Sequence, residues 1–202
     1  MSAQVDVEDE IILGMHPEDA AEVYLGSRGI SPATVMEYGV GYDPHEQAIT
    51  FPYYDAWGRQ TSARWRKLHP NAVPKYMGSR GVRAGLYNVV DVDEPWVYLT
   101  EGEIDCLTLK QLGLAAVGVP GAGAFREAWR WLFVDRKVRI VFDADSVKYR
   151  VGGEAYRPGQ DGGARVLRAI STVAAFVEVV HLPEGEDVNS LHMKGQLAPF
   201  VT

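Results

Sequence analysis

From Trp96 onward, short apolar runs alternate with helix-forming stretches, and this rhythm limits the possible folds more than any other feature of the chain. The runs are "WVYL", "AAVGV", "VRIVF" and "FVEVVHL". Between them the pattern predicts helices over residues 104–112, 126–132 and 164–170, the first closed by Gly113. Strands joined through helices run parallel, so this half is expected to be α/β: a mostly parallel sheet flanked by helices.

The preceding segment is patterned differently. Pro17 before Glu18 and Asp19 opens a predicted helix that ends before Gly26, and Ser31-Pro32 opens a second that stops at Gly39. "AITFPYY" and "RQTSARWR" flank "DAWG", so residues 48–66 read as an antiparallel hairpin with Arg64 and Arg66 on one face. Residues 68–85, rich in Pro and Gly, read as a loop. A small mixed α+β subdomain over residues 1–92 followed by an α/β domain over 93–202 is the expected organisation.

Composition narrows the class. A 47% hydrophobic content over 202 residues supports a buried core, and the acidic first ten residues lead into no apolar run of membrane-spanning length. A soluble, cytoplasmic protein with no membrane partner is expected. One cysteine among five histidines excludes an internal disulfide and a zinc ribbon within this chain. The net charge of −7 argues against indiscriminate nucleic-acid binding, but residues 56–90 contain no acid at all. Arg59, Arg64, Arg66, Lys67, Lys75, Arg80 and Arg83 lie there among Trp57, Trp65, Tyr76 and Tyr87, and make a candidate surface for an anionic ligand.

Ligands of open parallel sheets gather beyond the carboxyl ends of the strands. Those ends are acidic here: Glu101 after "VYLT", Asp143 and Asp145 after "RIVF", and Glu184, Glu186 and Asp187 after "VVHL". Two carboxylates at about 4 Å repel by roughly 1 kcal/mol in water and about 4 kcal/mol near a protein surface. A cation relieves that repulsion. Oxygen donors without His or Cys favour Mg²⁺ or Mn²⁺, the ions of phosphoryl transfer.

In order along the chain, "LTEGEIDCLTL", "GVPGAG", "RIVFDAD" and "LPEGEDVNSL" resemble the TOPRIM domain of primases, topoisomerases and some nucleases. Upstream, "YLGSRGIS", "YGVGY", "AITFPYYDAWGR", "ARWRK" and "PKYMGSRG" resemble the amino-terminal subdomain of the RNA-polymerase core of primases, both bacterial replicative primases and the primase halves of phage primase-helicases. The resemblance spans residues 17–195. It implies template-directed synthesis of short RNA primers from nucleoside triphosphates on single-stranded DNA, in phage or mobile-element replication.

Residue by residue, the resemblance implies that Glu101, Asp143 and Asp145 are catalytic and hold the metal, with Asp187 as a further acid. Lys75, one of Arg64 and Arg66, and Lys67 beside them would meet nucleotide or template. Asp105 has two readings, a metal role or a charge at a helix amino end. Gly121 and Gly123, with Gly118, read equally as a connector or as a loop whose amides meet phosphate. Glu103 reads as solvated. The family continues D-x-D-x-x-G, whereas here residues 146–160 intervene, and these read as a mobile surface loop or, through Lys148, Tyr149, Arg150, Tyr156 and Arg157, as a contact to template or incoming nucleotide. A separate zinc-binding module and a replicative helicase are the implied partners. A metal-dependent TOPRIM nuclease and a non-catalytic single-strand-binding replisome subunit are the rival readings.

Overall fold

The computed structural model describes residues 16–201. The chain divides into two compact units, Met1–Ala84 and Gly85–Thr202.

The first unit opens with helices α1 (Pro17–Ser27) and α2 (Pro32–Glu37). Ser31 caps α2, its Oγ accepting the Thr34 N–H at 3.1 Å. Strands β1 (Gly41–Asp43), β2 (Ala48–Tyr54), β3 (Gln60–Lys67) and β4 (Tyr76–Gly78) form an antiparallel sheet in that order. The expected β2–β3 hairpin is present. Its turn is pinned by Asp55, whose Oδ1 accepts the N–H groups of Trp57 and Arg59 at 2.9 and 3.0 Å. The stretch 68–85 is not all loop: Tyr76–Gly78 pairs with β3, a strand too short to show any alternation of its own.

The second unit contains β5 (Trp96–Glu101), α3 (Glu103–Gln111), β6 (Ala116–Val119) and β7 (Lys137–Val141). After a small ribbon, β8 (Lys148–Tyr149) with β9 (Ala155–Tyr156), come α4 (Pro158–Ile170), β10 (Phe176–Val179) and α5 (Val188–Met193). The main sheet is parallel throughout, in the order β10-β7-β5-β6. Leu99, Val117, Val138, Ile140, Phe133, Val166 and Ile170 are fully buried around it, each contributing roughly 1.5–3 kcal/mol by removal from water. The chain leaves β5 for β6 on one side, and β7 then joins β5 on the other. This reversal opens a crevice at the carboxyl ends of β5 and β7, where ligands of such sheets bind.

Three elements differ from expectation. Residues 127–133 wind as a 3₁₀ helix, held by the packing of Phe125 on Trp129 and Phe133 at centroid distances of 5.7 and 6.2 Å. Helix α4 begins at Pro158 rather than near residue 164, because its glycine-bearing first turns face backbone too close for any side chain. The division between units falls at Ala84/Gly85 and not at 92/93, since the segment after Gly85 fastens onto β6. There Tyr87 and Gly118 exchange backbone bonds, and Asp91 Oδ2 accepts the Ala116 N–H at 2.8 Å while pairing with Lys110 at 2.6 Å.

Candidate active site

Glu101 ends β5, and because Thr100 pairs with Val141, the Asp143–Asp145 segment continues β7 beside it. The loop before α5 is drawn onto this segment by two backbone bonds: Ala144 N–H donates to Glu186 O at 2.9 Å, and Gly185 N–H donates to Ala144 O at 2.7 Å. Asp187 follows directly and caps α5, its Oδ1 accepting the Ser190 N–H at 2.6 Å while Ser190 Oγ accepts the Asp187 N–H at 2.9 Å. Asp105, in the first turn of α3, is buried and accepts the Asn189 N–H at 2.9 Å. Five acids from three separate segments are thus brought within reach of one another's charge: Glu101, Asp105, Asp143, Asp145 and Asp187.

Burial raises the Glu101 carboxyl to about 7, against the bond from the Ala122 N–H and with the Asp145 charge adding to the rise. Burial, then Glu101, Asp187 and Asp145, raise Asp143 to about 8. Asp105 is pushed well above the carboxylate range by burial and by Asp143 and Asp187. Each proton held here reflects first the cost of burying a negative charge and then that of crowding it with others.

Individual oxygens have distinct fates. Glu101 Oε1 accepts the Ala122 N–H at 2.9 Å, from the glycine-containing loop after β6 in which Gly121 has φ +111°. A side chain is strained at that φ, so this glycine shapes the loop that orients Glu101. A Cβ on Gly123 would stand 3.9 Å from Arg165 Nη1, in ordinary contact. Asp145 Oδ2 accepts the Gly159 N–H at 2.9 Å, and its Oδ1 meets Lys148 Nζ at 2.8 Å. Glu101 Oε2 and Asp143 Oδ1 are buried with no hydrogen-bond partner. Unpaired buried carboxylate oxygens at the mouth of a parallel sheet fit a hard divalent cation. Among the described residues no three acidic, His or Cys side chains already stand grouped to hold an ion.

Arg64, Arg66, Lys67 and Lys75 belong to the first unit. Arg66 is only 5% exposed, its guanidinium 3.7 Å from the centre of the Tyr24 ring, so it is part of that unit's packing. Lys67 is tied to Glu46 at 2.7 Å, and Arg64 stacks over Tyr76 at 5.0 Å. Glu103 is buried, not solvated. Residues 146–160 are not one loop: they form the β8–β9 ribbon, crossed by an Arg150–Glu154 pair, and then begin α4.

Gly159 and Gly162 were not legible as site residues, while Lys148, which the sequence offers as a contact to template or nucleotide, pairs with Asp145. A Cβ on Gly159 would lie 2.0 Å from Asp143 O, and one on Gly162 would lie 2.6 Å from Ala122 O. These two glycines press the start of α4 against the Asp143 segment and against the loop whose Ala122 amide holds Glu101. The signal was the three glycines of "PGQDGG", which read as loop when only the local pattern is considered.

No family model matches the chain. The Gene 57 protein of Mycobacterium phage D29 is 34% identical over 149 residues, covering 71% of this chain and 88% of that protein. The chain belongs to the family of this phage protein. Among solved structures similar to this family member are the Aquifex aeolicus primase, comprising zinc-binding and RNA polymerase domains (TM-score 0.72, 19% identity), and the primase fragment of the bacteriophage T7 primase-helicase protein (TM-score 0.63, 24% identity). The first match covers 96% of this chain and 58% of the Aquifex chain; the second covers 88% and 73%. The fold is therefore that of the TOPRIM primase catalytic core. No described helix is long and apolar enough to cross a membrane.

Proposed function

We propose that this protein is a DNA primase catalytic core, a nucleotidyltransferase that joins ribonucleotides on a single-stranded DNA template. The observation that carries the reading is the pair of buried unpartnered oxygens, Glu101 Oε2 and Asp143 Oδ1, at adjacent strand ends of a primase-core fold. Glu101, Asp143 and Asp145 are the residues that would hold Mg²⁺ or Mn²⁺, with Asp187 alongside. A cation held by these residues would supply Lewis-acid activation of a nucleotide 3′-hydroxyl and neutralisation of phosphate charge.

The chain's own contribution is orientation and proton control. The Ala122 and Gly159 amides hold one oxygen each of Glu101 and Asp145. Glu101 and Asp143, with pKa values near 7 and 8, give up their protons when the site is charged with cation. Lys75 and Arg64 of the acid-free segment are assigned to triphosphate or template, and Arg66 to holding their strand. A zinc-binding module and a helicase are proposed as separate partners that choose the start site; one cysteine builds no zinc ribbon here.

The test is primer synthesis with labelled ribonucleotides, single-stranded DNA, and Mg²⁺ or Mn²⁺. Short RNA products that vanish in Asp143→Asn/Asp145→Asn are expected, with extension of a supplied dinucleotide exceeding initiation. DNA degradation instead of synthesis would establish the nuclease reading, and template binding without either reaction would establish the binding-subunit reading.

A further inference from the structure

Asp145 has both oxygens engaged within the chain. Its Oδ2 is held by the Gly159 amide, and its Oδ1 by the Lys148 ammonium at 2.8 Å. These bonds differ in what they could release. Gly159 is locked in place, its α-carbon so close to Asp143 that a methyl group would fall 2.0 Å from Asp143 O. Lys148 sits on β8 of the ribbon, its side chain 53% exposed on a flexible stem. It is also the cation whose charge bears on Glu101 and Asp143.

The ribbon suits movement more than burial. Tyr149 is 71% exposed and Val151 fully so, and its closing pair, Arg150 with Glu154, is internal to it. Arg157 at its end reaches Glu184 only at 3.8 Å. Between Ser146 and Arg157 there are three basic residues and one acid, a basic projection on a chain of net charge −7.

We propose that Lys148 is an exchangeable counter-ion of the acidic site. It stands on the Asp145 oxygen that a divalent cation needs, yields that oxygen when the cation binds, and then positions the phosphates of the incoming nucleotide. The inference rests on the reading of Glu101, Asp143 and Asp145 as cation ligands. Lys148 is a positioning residue in this account: it carries a positive charge between two partners of opposite role, a carboxylate before loading and a phosphate after it. The ribbon that carries it is the stretch interposed between the D-x-D pair and the following helix, so this counter-ion is a property of this chain's own insertion.

The substitution Lys148→Met keeps the stem and removes the charge, and two affinities separate its roles. Mn²⁺ binding to the full chain, followed by calorimetry and by the loss of free-ion electron-spin resonance signal, is expected to tighten about fivefold to tenfold, since a competing cation is gone. Binding of a non-hydrolysable ribonucleoside triphosphate, with Mn²⁺ saturating, is expected to weaken by a similar factor. Arg150→Met, on the same ribbon but paired with Glu154, serves as the control and leaves Mn²⁺ affinity unchanged. A structural role for Lys148 would lower both affinities together, and that outcome overturns the proposal. Equal Mn²⁺ affinity in parent and Lys148→Met overturns the proposal while leaving the site reading in place. Absence of saturable Mn²⁺ binding by the parent overturns the site reading and this inference with it.

Discussion

Asp105 Oδ1 accepts the Asn189 N–H at 2.9 Å, so an acid in the first turn of α3 anchors the first turn of α5. Asn189 Nδ2 donates to Thr108 Oγ1 at 2.9 Å one turn further along α3, and the two bonds together place Asp187 among the acids. Asp105→Asn preserves the acceptor and removes the repulsion, so its stability is expected within about 0.5 kcal/mol of the parent or above it. Asp105→Ala removes the acceptor of the buried Asn189 N–H and is expected to cost about 2 kcal/mol. Urea unfolding measures both. Unchanged Mn²⁺ affinity in Asp105→Asn assigns the residue to anchoring α5 and not to the ion.

Glu101 and Asp143 keep their protons to about pH 7 and 8, against ordinary values of 4.5 and 3.8. Between those limits the folded state binds more protons than the unfolded state. Their contribution to stability is therefore full below the ordinary carboxylate pKa, falls as pH rises, and levels off above about 8. Unfolding of chelator-treated protein at about pH 5 and about pH 8.5 is expected to show this loss, and Asp143→Asn to reduce it. Mn²⁺ binding near neutral pH is expected to release protons, read as a dependence of calorimetric heat on the buffer's ionisation enthalpy.

A methyl group on Gly159 meets Asp143 O at 2.0 Å, whereas one on Gly152 in the ribbon meets nothing within 4 Å. Gly159→Ala gains roughly 1 kcal/mol of helix propensity but forces α4 away from the acids, for an expected net loss above about 3 kcal/mol. Gly152→Ala is expected to stay within about 0.5 kcal/mol of the parent. Thermal unfolding ranks the two, and a Gly159→Ala protein as stable as the parent would refute the close approach.

Arg66 lies 3.7 Å from the centre of the Tyr24 ring and is nearly buried. Arg66→Ala is expected to cost about 1–2 kcal/mol through lost stacking and stem packing. Lys75→Ala is expected to leave stability close to the parent's and to weaken triphosphate or single-stranded DNA binding, the more so at low salt. Denaturant titrations paired with fluorescence-anisotropy binding separate the two effects. Loss of nucleotide affinity in Arg66→Ala at unchanged stability would return that residue to the ligand surface.

The parallel sheet was legible because its central strands are largely buried on both faces and read as short apolar runs, as in "VYL" and "IVF". The acids at their ends were legible for the same reason, since a strand end is where ligand-binding groups must stand. Only the tertiary structure decided how those acids are held. The Gly159 amide on Asp145, the Lys148 ammonium opposite it and the Asp105 bond to Asn189 join residues whose separation in sequence carries no periodic signal. The ribbon over residues 148–156 and the early start of α4 escaped the pattern because glycine marks both a flexible turn and a site of close backbone contact. The surroundings of Arg66 escaped the sequence for a related physical reason. Charge shows in the sequence, but whether a guanidinium meets a phosphate or lies flat on Tyr24 depends on which ring the fold brings over it.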